Sequence, residues 1–209
     1  QKAWLPSAYV FLREMDVEYS AMLGVDPSIK LTTMKPSGTL SCLSGMTTGG
    51  HPAIFPYFIR RITIASDSPL VQVCRDNGFH TEYKEYPDGS LDHSSIIASF
   101  PAKYPHYSTF AKDVGAIDQL ETVKELQTVW SDNAVSVTIY YKLEELEEIR
   151  AWLADNYSTS LKSVSFLLHN DHGFAQAPFE EITKEEYNKL VASTTPITSV
   201  EFNEDDIDD

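Results

Sequence analysis

IKLTTMKPSGTLS, residues Ile29–Ser41, is the stretch on which the fold of this chain turns. Ile29 to Met34 is apolar and β-prone and predicts a short buried strand, and Lys35-Pro36-Ser37-Gly38-Thr39-Leu40-Ser41 then predicts a loop able to hold an anionic group. Pro36 sets one backbone torsion and Gly38 frees another. Consecutive N–H groups can then turn toward a phosphate, with Ser37, Thr39 and Ser41 adding hydroxyl donors. An ordinary strand-to-helix turn uses the same residue types, so both readings stand at this point. Neither a Walker-type Gly-Lys-Ser/Thr nor a dinucleotide Gly-x-Gly-x-x-Gly occurs here. A second glycine-rich turn ends at Gly49-Gly50-His51-Pro52, and Phe58 to Ala65 (FIRRITIA) reads as the next strand. Strand, polar loop, strand is the order expected of a site at a sheet edge.

Outward from this stretch the pattern alternates. Residues 7–23 carry apolar positions at a helical period, and Gly24 suits a helix C-terminus. Ser68-Pro69 opens a short helix ended by Asn77-Gly78; Phe79 to Tyr86 and Ser95 to Pro101 follow as strands, joined through Pro87-Asp88-Gly89. Ala116 to Trp130 is helical by spacing, Asn133 to Tyr141 (NAVSVTIYY) alternates as a strand, and Leu143 to Leu153 forms an apolar stripe backed by glutamates. Ser163 to Leu168 is a last buried strand, and Thr183 to Val191 a last helix opened by a Thr-Lys-Glu-Glu box. The alternation predicts an α/β fold with a largely parallel sheet.

Bulk composition narrows the function. At 209 residues and 42% hydrophobic the chain can bury a core, as one domain or part of a larger one. The net charge of −15 argues against wrapping nucleic acid but leaves room for a single anionic substrate, near the local group Lys35, Arg60 and Arg61. Arg60 and Arg61 are adjacent on a strand and point to opposite faces, so at most one serves such a site. Cys42 and Cys74 lie 32 apart with no CxxC, so neither a disulfide scaffold nor a structural zinc site is expected, and a reducing cytoplasm fits. No apolar run suits a membrane span. Both ends read as cut: the chain opens at Gln1 and stops in an acidic run from Glu201, expected to be a solvated tail within 196–209, with 1–195 as the folded part.

Taken in order, KLTTMKPSGTLS, GxxxGGHP, IRRI, WSDNAVSVTIYY and HNDHGFAQAPFE resemble the C-terminal half of adenosylcobalamin-dependent (class II) ribonucleoside-triphosphate reductases, from about Asp16 to about Val191. The resemblance implies the second half of a ten-stranded α/β barrel, whose finger-loop cysteine lies in the other half. It implies a reaction in which the cofactor's cobalt–carbon bond is split, a thiyl radical removes the ribose 3′ hydrogen, and the 2′ hydroxyl leaves as water. Cysteine pairs supply the electrons and a thioredoxin-type reductant restores them. Partners so implied are a ribonucleoside triphosphate and the remaining N-terminal half; nucleic acid and membrane are not among them. Pro36, Ser37, Gly38 and Thr39 match the family's phosphate loop, continued by Leu40 and Ser41. Gly49, Gly50, His51 and Pro52 match a segment on the active-site face. No finger-loop Asn-x-Cys-x-Glu occurs, and Cys42 and Cys74 fit packing roles, so the isolated polypeptide is expected not to reduce a nucleotide. A non-catalytic phosphate-binding or partner-binding module of the same fold is the alternative. The metal-dependent branch of the superfamily differs at the Lys-Pro-Ser-Gly-Thr and GGHP segments.

Other constellations are weaker. His51 beside Pro52 reads as a hydrogen-bonded structural residue. His169, Asp171 and His172 suit a capped turn better than a metal site. Asp132-Asn133 either orient the substrate side or simply end a helix and begin a strand. Ser41, His51 and Asp67 lack the nucleophile elbow of a hydrolase.

Overall fold

The structure, a computed structural model, describes residues 4–38, 40–104, 107, 109–169 and 176–200, without the side chains of Cys42 and Leu43. The chain divides into two units, Gln1–Ile54 with Tyr107–Asn170, and Phe55–His106 with Asp171–Asp209.

In the first unit, helix α1 (Trp4–Leu23) leads through an extended segment to the four-residue helix α2 (Leu40–Leu43). The strand predicted over Ile29 to Met34 is corrected: the segment is extended but belongs to no sheet, and Ile29 is 89% exposed. Its backbone bonds instead to the stretch after the next long helix of this unit, with Asn133 N–H donating to Thr32 O at 3.1 Å and Ser136 N–H to Met34 O at 2.9 Å.

The second unit opens with strand β1 (Tyr57–Ala65), helix α3 (Pro69–Asp76) and strands β2 (His80–Glu85) and β3 (Leu91–Lys103). Ser68 caps α3, its hydroxyl accepting from Leu70 N–H at 3.3 Å with Pro69 in the first turn. Val71 and Cys74 on α3 are buried, as are Phe58, Ile96 and Ala98 in the sheet. Burial pushes the Cys74 thiol above its ordinary value, which keeps it protonated and inert.

The chain then returns to the first unit with helix α4 (Ala116–Val129), strand β4 (Thr138–Tyr141), helix α5 (Leu146–Ser160) and strand β5 (Ser165–Leu168). β4 and β5 pair in parallel with α5 as the crossover. Ala116, Leu120 and Val123 of α4, Val135, Val137 and Ile139 around β4, and Ile149 and Trp152 of α5 form the core. Full burial of a side chain such as Leu120 or Ile139 stabilises by about 1.5–3 kcal/mol. Strand β6 (Phe179–Glu181) and helix α6 (Lys184–Ser193) complete the second unit. The capping box is present on α6, with Thr183 Oγ1 accepting from Glu186 N–H at 3.1 Å.

The α/β alternation holds, but the direction of the sheet differs from expectation. The larger sheet has the order β2-β3-β1-β6, and every pairing in it is antiparallel. For β2 and β3 the reason lies in the connection: Tyr86 to Ser90 is a tight turn, and a connection that short can only reverse the chain. Among the strands of the described residues, β4–β5 is the pair with the parallel arrangement the alternation suggested. The acidic run from Glu201 lies outside the described residues.

Candidate phosphate-binding site

The two glycine-bearing turns singled out in the sequence are brought together. Gly49 has φ +57°, and a Cβ placed there would sit 3.0 Å from the carbonyl carbon and oxygen of Lys35 and 3.1 Å from Pro36 N. A backbone in the left-handed region pressed against the Lys35–Pro36 peptide requires glycine on both counts. The turn at residues 45–50 therefore buttresses the start of the 35–41 loop.

Within that loop, Ser37 Oγ accepts from the N–H of Leu40, the first residue of α2, at 3.0 Å. The hydroxyl proton of Ser37 stays available as a donor. Met46 N–H donates to Ser41 O at 2.9 Å and Ser44 Oγ to the same carbonyl at 3.0 Å, closing the far end of the loop. Among the described residues, the N–H groups of Ser37 and Gly38 donate to no backbone carbonyl. Gly38 is not at positive φ, and a Cβ on it would meet nothing within 4 Å. Among the described residues its glycine identity is thus required by neither a positive φ nor crowding, which corrects the expectation that it supplies an unusual backbone torsion. Thr39 lies outside the described residues.

His51 is fixed by both ring nitrogens: Nε2 accepts from Thr138 N–H at 3.0 Å, and Nδ1 lies 2.8 Å from Thr48 O. Since Nε2 accepts, Nδ1 carries the proton and donates to Thr48. The ring joins the glycine turn to the first residue of β4, which leaves no free nitrogen for the paper arrangement with Ser41 and Asp67. Thr138 is one of three alternate amides on this edge, with Ser136 N–H donating to Met34 O at 2.9 Å and Tyr140 N–H to Gln119 Oε1 at 3.0 Å. Side chains and an extended segment thus do the work of a neighbouring strand. The ladder on the other edge covers only the last four residues of NAVSVTIYY because β5 is itself four residues long. Gln127 acts similarly, accepting from Val135 N–H at 3.1 Å and donating to Asn133 O at 3.0 Å.

Asp132 and Asn133 hold the entry to the loop. Asn133 Nδ2 donates to Thr32 O at 3.2 Å. Asp132 accepts from Tyr9 Oη at 2.8 Å, Leu31 N–H at 2.8 Å and Arg13 Nη2 at 3.2 Å, tying α1 to the segment that feeds the loop. Arg13 also donates to Ser28 O at 2.7 Å and Ile29 O at 3.1 Å. Tyr9, Arg13, Gln119 and Gln127 escape a reading of sequence because their partners are distant in the chain and no local pattern marks them. Burial raises the Asp132 carboxyl, but the donors from Leu31, Tyr9 and Arg13 outweigh it, and the net effect is a value below the ordinary 3.8. A depressed folded value stabilises above about pH 4, and that stabilisation is lost as pH falls through the folded value. Asp132→Ala should cost about 2–3 kcal/mol at neutral pH, the worth of charge-assisted bonds that lose their acceptor. Urea unfolding from pH 7 to pH 2 checks this: the gap between wild type and variant should close on the acid side, and a constant gap would count against it.

Arg60 and Arg61 are engaged inside their own sheet. Arg61 pairs with Glu180 and donates to Ala177 O at 2.9 Å, while Arg60 stacks 4.4 Å over Phe179 and donates to Pro178 O at 3.2 Å. They lock the β1–β6 edge, so the cation left for the loop region by the sequence reading is Lys35, which is exposed. His169 donates its N–H to Tyr141 O at 2.7 Å as an extension of β5, while Asp171 and His172 lie outside the described residues. Among the described residues no three His, Cys, Asp or Glu side chains gather as a metal site, and no helix is long and apolar enough to cross a membrane.

Two cavities lie elsewhere. One of about 350 Å³ is apolar, between β1 and α3. The other, about 510 Å³, is lined by hydroxyls at the ends of α4 and α5. Neither includes residues of the 35–41 loop.

No family model matches the chain. Among curated proteins it is 38% identical to the adenosylcobalamin-dependent ribonucleoside-triphosphate reductase of Lactobacillus acidophilus, over 90% of this chain and 25% of that protein. It is 35% identical to the Euglena gracilis protein of the same name, over 91% of this chain and 26% of the relative. The probable reductase of Dictyostelium discoideum is 32% identical over 97% of this chain and 26% of its own length. A crystal structure of a B-12 dependent (class II) ribonucleotide reductase matches with TM-score 0.79 and 33% identity, covering 94% of this chain and 27% of that one. The chain therefore spans about a quarter of the length of the curated relatives it matches. Similarity of sequence and of fold along nearly the whole of the 209 residues leads to one conclusion, that this chain belongs to the adenosylcobalamin-dependent ribonucleoside-triphosphate reductase family.

Proposed function

We propose that this chain supplies the substrate-phosphate seat of a class II ribonucleoside-triphosphate reductase, the reaction being completed by polypeptide outside the segment. The apposition of the two glycine turns carries this reading: Gly49 props the Lys35–Pro36 peptide. The Ser37 and Gly38 amides and the Ser37 hydroxyl are then left to meet an anion. Glycine at 38, needed by no contact or torsion among the described residues, is what a phosphate approaching the backbone closely would require. Leu40, Ser41 and, from the motif, Thr39 belong to the same seat, and Gly49, Gly50, His51, Pro52 and Asn133 belong to the active-site face in this reading. Lys35 offers local positive charge against a molecule of net charge −15.

The relatives are named for adenosylcobalamin. In this reading the cofactor and the thiyl-forming cysteine belong to the whole protein. Neither Cys42 nor the buried Cys74 stands in the radical role, so the isolated chain binds phosphate without turnover. The ten-stranded barrel, the thioredoxin-type reductant and the cytoplasmic setting belong to the whole protein in the same reading.

Titrating the chain with a ribonucleoside triphosphate while following backbone amide resonances tests the seat. Shifts should concentrate at Ser37, Gly38 and Gly49. Shifts confined to other parts of the chain, or none at millimolar nucleotide, would refute it.

A further inference from the structure

Helix α1 leaves a stripe of large apolar side chains in solvent, and Val10 and Val17 are exposed off that stripe. Tyr9, Arg13, Asp16 and Ser20, on one side, are the residues that hold it to the chain: Tyr9 and Arg13 bond Asp132, Asp16 accepts from Ser28 N–H at 2.8 Å, and Ser20 is buried. Trp4, Phe11, Met15, Tyr19 and Met22 are spaced by seven, four, four and three residues, which confines them to an arc of about 80° on another side. Four of these five are more than half exposed: Trp4 59%, Phe11 58%, Tyr19 58% and Met22 74%. A surface helix ordinarily turns its apolar stripe inward and its polar side to water. A continuous apolar stripe left in solvent marks a contact surface.

We propose that this stripe docks the reductase polypeptide lying outside the segment that this chain represents. The proposal rests on the functional reading above and names the surface through which the phosphate seat joins the rest of the protein. Three observations select this occupant. The relatives carry about three times as much polypeptide again, since the chain covers only 25% of the Lactobacillus acidophilus protein. A lipid surface is disfavoured because α1 has no lysine, its single arginine is engaged with Asp132, and Glu14, Asp16 and Glu18 make it acidic. A second copy is disfavoured by the repulsion of two chains each carrying −15.

The test uses the chain alone and a chimera in which it replaces the matching segment of the Lactobacillus acidophilus reductase. Met22→Cys should react with a maleimide at least ten-fold more slowly in the chimera than in the chain alone, whereas Ala21→Cys, off the stripe, should react equally in both. Phe11→Glu combined with Met22→Glu should leave the melting temperature of the chain unchanged and lower that of the chimera. Equal labelling of position 22 in both contexts overturns the proposal. So does a chimera that tolerates both glutamates, or one that stays insoluble while the two polypeptides expressed separately fail to co-purify. A dimer of the chain that the double variant abolishes would assign the stripe to a second copy instead, and also overturns it. Failure of the triphosphate titration with position 22 protected would sink the phosphate reading alone; an intact titration with position 22 labelled equally would sink the docking surface alone.

Discussion

Gly49→Ala should lower the unfolding free energy of the chain by about 2–4 kcal/mol, combining the cost of a side chain in the left-handed region with a clash against backbone. The added Cβ would lie 3.0 Å from the Lys35 carbonyl, and that peptide cannot swing aside as a flexible side chain would. Met34 O on one side accepts from Ser136 N–H, and Ser41 O on the other accepts from Met46 N–H, so the loop is anchored at both ends. Relief therefore has to come by moving Lys35 and Pro36 themselves, which displaces the Ser37 and Gly38 amides. Urea unfolding should register the loss of stability, and the amide resonances of residues 35–38 should move even without nucleotide. A change below about 0.5 kcal/mol, the range of an ordinary surface substitution, would mean that the close approach is not maintained in solution.

Gly38→Val should do the reverse, leaving stability within about 0.5 kcal/mol while weakening triphosphate binding about ten- to a hundred-fold, or roughly 1.4–2.8 kcal/mol. Position 38 has ordinary torsions and open space above it, so the chain itself accommodates the side chain. What a branched side chain obstructs is the approach of phosphate oxygens to the Ser37 and Gly38 N–H groups. The pair of variants separates support from contact: one glycine holds the loop, the other admits the ligand. If Gly38→Val bound triphosphate as tightly as the unsubstituted chain, the phosphates would sit elsewhere, whatever Gly49→Ala did.

Much of the secondary structure was legible because its causes are local. The apolar spacing of Ala116 to Val129 forms α4, Ser68-Pro69 starts α3, and Thr183 with Glu186 starts α6. The motif residues were legible as types, since Pro, Ser and Gly in that order suit few backbone conformations. Their roles were less so. Ile29 to Met34 has the composition of a strand, but the backbone N–H groups that its carbonyls accept from, those of Asn133 and Ser136, lie about a hundred residues away and make two bonds rather than a ladder. Arg60 and Arg61 looked available for a phosphate until Phe179 and Glu180 were seen beside them.

Local pattern, then, determined the helices, the turns, the order of motifs and through that order the family. Tertiary structure alone decided that the larger sheet is antiparallel, that Gly49 rather than Gly38 is the glycine the fold demands, that the His51 ring bridges a turn to β4, and that α1 faces inward with its polar side. Periodicity records which side of an element differs from the other, but the partner that each side meets is set by contacts between residues far apart in the chain.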